Sequence, residues 1–125
     1  MKLDFELSEL FRGYNVSIAV VSNINLTFTV TLIEGSSTLA EINKTSTKED
    51  LYMVEQKHFD LQMGRPTLSV NVPDAENLSQ SRVAGLISDQ RARRVGFSYN
   101  FCIETSNNDH MDDIYVNVVG WANKG

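Results

Sequence analysis

The chain is short of nearly everything that usually announces a function. It has one cysteine and two prolines in 125 residues. A single cysteine, Cys102, excludes a disulfide within the chain. No apolar run approaches the roughly 20 residues of a membrane-spanning helix. The opening Met1-Lys-Leu-Asp-Phe-Glu-Leu alternates apolar and charged residues and lacks the apolar stretch of a secretory signal. The expected location is therefore the cytoplasm, or outside the cell after release without a classical signal peptide. Basic residues are also scarce, 11 against 16 acidic ones, for a net charge of −5. That balance argues against nucleic acid as a partner, because neutralising phosphates needs a basic surface. The one local exception, Arg91-Ala-Arg93-Arg94, has no interleaved aromatics and reads as a solvated turn or strand flank.

Catalytic signatures are missing too. There is no Gly-x-Ser-x-Gly, no phosphate-binding glycine loop and no His-Glu-x-x-His, so no enzymatic activity is expected. His58 and His110 stand outside any motif, and His58 falls on an apolar stripe, where it reads as a partly buried packing residue. Cys102, inside Phe97-Ser-Tyr-Asn-Phe-Cys-Ile, reads as a small buried strand residue rather than a nucleophile.

What is present is period-two alternation of apolar residues, the signal of strands. Leu3, Phe5 and Leu7 mark a short first strand, and Tyr14 to Val21 a second. Leu26-Thr-Phe-Thr-Val-Thr-Leu32 puts Leu26, Phe28, Val30 and Leu32 on one face and threonines on the other, which suits a half-solvated pleated sheet. The turn formers of Ser22-Asn-Ile-Asn25 join the second and third strands into an expected hairpin. Thr38 to Ile42, Thr67 to Val72, Val95 to Ile103 and Ile114 to Trp121 read as further strands. Residues 51–63 fit a helical stripe nearly as well as a strand, and 78–94 fit a loop, a short helix or an edge strand. The expected fold is all-β with little helix, an antiparallel β-sandwich of Greek-key or jelly-roll type spanning residues 1–125 as one domain, with a compact open barrel as the alternative.

The segment between the last two strands carries the chemistry. Glu104, Asn108, Asp109, Asp112 and Asp113 offer carboxylate and amide oxygens without a basic residue nearby, the donor set of a hard cation such as calcium. The same residues also suit a charged turn. The spacing is not that of an EF-hand, whose sixth-position glycine and distal glutamate are absent.

Around this loop the chain resembles the small bacterial calcium-dependent lectins that bind fucose and mannose. The matching features are the Phe5-Glu-Leu7 strand, the Val16-Ser17 hairpin strand, the acidic loop, the valine-rich strand after it, Trp121 and Gly125. The resemblance implies a β-sandwich in which paired calcium ions are coordinated directly by sugar hydroxyls. It assigns Glu104, Asn108, Asp112 and Asp113 as loop ligands, Asn23 as a hairpin amide ligand, and Gly125 as a carboxylate ligand from a partner subunit of a homo-oligomer. Ser22, with Asn23, falls in the turn that tunes sugar choice. His110 stands where the family has a second aspartate, and residues 35–93 carry none of its motifs. The alternative is a metal-free β-sandwich whose role is self-assembly or protein interaction, through exposed strand edges.

Overall fold

The computed structural model describes residues 1–24, 26–44, 52–105 and 113–122, and of Tyr52 and Asp113 the backbone only. Among these residues nine strands alternate with short connections: β1 (Lys2–Glu6), β2 (Asn15–Ser22), β3 (Phe28–Glu34), β4 (Ser37–Lys44), β5 (Tyr52–Asp60), β6 (Thr67–Asn71), β7 (Ser79–Ser88), β8 (Arg94–Glu104) and β9 (Asp113–Trp121). They form two antiparallel sheets, one ordered β1-β6-β3-β4 and the other β5-β2-β9-β8-β7. The expected β-sandwich is what the chain builds.

Alternation along each strand decides which side chains meet between the sheets. Val16, Ile18 and Val20 of β2, Tyr99, Phe101 and Ile103 of β8, and Ile114, Val116 and Val118 of β9 point inward from the five-stranded sheet. Phe28, Val30, Leu32, Leu68 and Val70 meet them from the other. Each large aliphatic buried here contributes about 2 kcal/mol of hydrophobic free energy. The loop from Leu7 to Tyr14 closes the end of the sandwich where β9 finishes, with Leu7 and Leu10 fully buried. Its approach to the segment before β6 is tight: a Cβ at Gly64 would lie 2.6 Å from the Arg12 backbone nitrogen, and Gly64 also has φ of +86°, so glycine is required there.

Consecutive strands β2 and β3 do not form the expected hairpin. β2 pairs with β5 and β9, β3 with β4 and β6, so that Ser22 ends a strand of one sheet and Phe28 begins a strand of the other. The connection lacks the glycine that a tight hairpin turn favours, and its Ile24 is fully buried, a plug for the opposite end of the sandwich. Of the ambiguous stretch 51–63, Tyr52–Asp60 form a strand, β5, whose pairing with β2 outweighs the helical stripe. His58 on β5 is exposed, opposite Ser17, and does not pack in the core. The undecided stretch 78–94 holds the ten-residue edge strand β7 and the turn into β8. In that turn Arg91 and Arg93 are exposed, as expected of a solvated flank. Arg94 is different. It is half-buried, donates from Nη1 to Glu9 Oε2 at 2.9 Å and from Nε to the Tyr14 hydroxyl at 3.2 Å, and lies 4.5 Å from the Phe11 ring centre.

Candidate functional site

Three strand ends converge at the end of the five-stranded sheet where β9 begins. Ser22 pairs with Ile114, Ile103 pairs with Ile114 from the other side, and Glu104 pairs with Asp113. This register brings Ser22 and Asn23 beside Asp113 and Glu104, although some ninety residues of chain separate them. Glu104 is exposed and Asn23 half-buried at this edge. Asn108, Asp109, Asp112 and Gly125 lie outside the described residues, as does His110.

The crossover that carries Asn23 is braced from within. Ser22 is fully buried, and its Oγ accepts a hydrogen bond from the Ile24 amide at 3.2 Å. Lys44, only 2% exposed at the end of β4, turns its ammonium into the same segment. Its Nζ donates to the Ile24 carbonyl and, at 3.2 Å, to the Leu26 carbonyl. A buried ammonium is tolerable only when its hydrogens are satisfied in this way. The bonds also occupy two carbonyl oxygens that would otherwise be available to a cation. Nothing in the sequence reading singled out Lys44, because its burial depends on β4 and the 23–27 crossover meeting in space.

The donors at this edge have the chemistry calcium takes: a carboxylate at Glu104, an amide oxygen at Asn23, and the aspartate at position 113 next to Glu104. Among the described residues, however, no three His, Cys, Asp or Glu side chains cluster as metal ligands. Cys102, two residues before Glu104, is half-buried rather than buried. It faces outward, where it lines a shallow cavity of about 300 Å³ with Val21, Val83, Tyr115 and Asn117.

The antiparallel sandwich of four strands on five is a fold found among solved structures of bacterial lectins. Three solved structures share it across nearly their whole length. A high-affinity mannose-binding lectin of Ralstonia solanacearum superposes with a TM-score of 0.64 at 12% identity, over 96% of either chain. The C-terminal domain of the BC2L-C lectin of Burkholderia cenocepacia gives 0.62 at 13% identity, over 95% of this chain and 99% of that one. The lectin CV2L of Chromobacterium violaceum, solved with α-methyl-fucoside, gives 0.62 at 13% identity, over 96% of each. No protein-family model and no curated protein sequence matches the chain.

Proposed function

We propose that this chain is a non-catalytic carbohydrate-binding protein, lectin-like, that coordinates sugar hydroxyls through calcium at the β8–β9 end of its larger sheet. The observation that carries the reading is the register that places Ser22 and Asn23 beside Asp113 and Glu104. It juxtaposes two separate stretches assigned to one site on sequence grounds alone. Two of the structural neighbours, a mannose-binding lectin and a lectin solved with a bound fucoside, support the ligand class. Glu104, Asn108, Asp109, Asp112, Asp113 and Asn23 are the proposed metal ligands. Calcium, held by these residues, would supply a hard cation able to accept sugar hydroxyl oxygens among its six to eight ligands. Asn23 meets the sugar directly, and Ser22 acts through the turn that its buried hydroxyl holds.

Gly125, the remaining proposed ligand, comes from a second copy. β9 runs away from the acidic end for eight residue steps, roughly 26 Å at strand rise. A homo-oligomer is thus part of the proposal.

The deciding experiment is a thermal melt with millimolar calcium against chelator, together with retention on mannose- and fucose-coated resin. Calcium at a hundred times its dissociation constant would stabilise the native state by about 2.7 kcal/mol, a rise of several degrees. An unchanged melt with no chelator-sensitive retention would sink the reading.

One observation favours the second reading, a metal-free self-assembly or protein-interaction module. β7 is exposed on both faces over nearly its whole length, with Val83 73% and Leu86 55% exposed, and no described strand pairs its outer edge. Such an edge is a ready template for another strand.

A further inference from the structure

At the far end of the same sheet from the acidic loop, a row of four residues crosses its outer face. Asp60 of β5 stands opposite Asn15 of β2, Asn15 opposite Trp121 of β9, and Trp121 opposite Gly96 of β8. Directly paired residues of antiparallel strands share a face. The face is the outer one, because Gly120, next to Trp121, points into the core toward Leu10, Tyr14 and Val16.

Trp121 is 46% exposed, a large area for the only tryptophan of the chain. A Cβ at Gly96 would lie 3.3 Å from Trp121 Cε3, so the indole lies across the bare glycine backbone. The Ala122 amide donates to the Val95 carbonyl at 2.7 Å and pins the strand end beneath it. Beside the ring, Asn15 Nδ2 donates to Asp60 Oδ1 at 2.9 Å. That bond joins the two side chains and leaves Asn15 Oδ1 and Asp60 Oδ2 without a hydrogen-bond partner among the described residues. His58 is exposed two residues before Asp60, on the same face.

This is an exposed aromatic plate next to a hydrogen-bonded amide–carboxylate pair. The pair sits one to two strand spacings away, within roughly 10 Å. A pyranose has matching chemistry. One side of its ring presents weakly electropositive C–H groups, which pack on the negative face of an indole. Its edge presents vicinal hydroxyls, which donate to a carboxylate and exchange bonds with an amide. A lipid chain would use the ring alone and has no donors for Asn15 Oδ1 and Asp60 Oδ2, whereas a pyranose engages the ring and the pair together. We infer that Trp121, Asn15 and Asp60 form a second, metal-independent carbohydrate subsite that stacks a hexopyranose. It shares its ligand class with the proposed calcium site and none of its residues.

Trp121 is its own reporter. The chelator-treated full chain is titrated with D-galactose, D-glucose, D-mannose and L-fucose while indole emission is followed. Sorbitol, which has hydroxyls but no ring face, is the control. At least one hexose should give a saturable change in the millimolar range, and sorbitol none. The double variant Asn15→Ala, Asp60→Asn, which retains the indole, should weaken that binding by about tenfold or more. Responses to all four sugars no different from sorbitol, or wild-type affinity in the double variant, would overturn the inference. Because chelator is present throughout, a saturable signal stands even if calcium-dependent retention is absent. Its loss likewise leaves the calcium reading untouched.

Discussion

Glu34 shows how one side chain can hold a loop. It is 3% exposed at the end of β3, and its carboxylate accepts from the amides of Gln62 at 3.1 Å, Met63 at 2.7 Å and Gly64 at 2.7 Å. Burial pushes its pKa upward, but the three amides favour the charged form more, and the net displacement is below the ordinary 4.5. A carboxylate with a depressed native pKa adds stability that is fully present above its unfolded value and fades as pH falls through the native one. Glu34→Gln should therefore cost about 2 kcal/mol at neutral pH. Its penalty should shrink in acid, where the wild type loses the same charge. Denaturant melts of the two proteins from pH 7 down to pH 3 would show this. Parallel curves across that range would refute the role. Nothing in the local sequence, Glu34-Gly-Ser-Ser, distinguishes this glutamate from an ordinary turn residue. Its partners are some thirty positions away. Lys44 was illegible for the same reason, since its buried ammonium is satisfied by the Ile24 and Leu26 carbonyls, some twenty positions away.

At the level of elements, strands with one apolar face could be read directly. β2 and β3 show strict inward alternation, and both were evident as strands. Their partnership was not. Two such strands pack equally well side by side in one sheet or face to face across a core, and a polar linker does not choose between them. Burial of Ile24 and the Lys44 bonds make the choice. β7 failed to declare itself for the opposite reason: with both faces exposed, it has no apolar period to read. Its outer edge makes a prediction of its own. In dilute solution, about half of the β7 amides, those not bonded to β8, should exchange hydrogen at nearly unfolded rates, while those of β9, paired on both sides, are protected. Protection of the outward β7 amides that grows with protein concentration would show another copy pairing there, as the self-assembly reading requires.

For the whole molecule, the direction of β9 is the controlling fact. Its start lies at the acidic end and its finish at the Trp121 row, so the two proposed sugar-binding surfaces sit at opposite ends of one sheet. If Gly125 of a second copy completes the calcium site, a short peptide appended after it should abolish calcium stabilisation and chelator-sensitive glycan retention. The circular dichroism spectrum and the Trp121 response to hexoses should persist. Undiminished calcium stabilisation in the extended protein would remove Gly125 from the ligand set.

The sequence by itself determined that the chain is all-β, that its core is built from period-two apolar faces, and that Glu104, Asp109, Asp112 and Asp113 fall within ten residues of one another. These are local properties, set by side-chain type and the alternation of a pleated backbone. Only the tertiary structure decided which sheet each strand joins, and that Asn23 stands beside Asp113 and Glu104. It also decided that Trp121 lies open beside Asn15 and Asp60. Those juxtapositions depend on cross-strand register between segments up to a hundred residues apart. Register is selected by burial of both sheets at once, a condition that no single stretch of sequence contains.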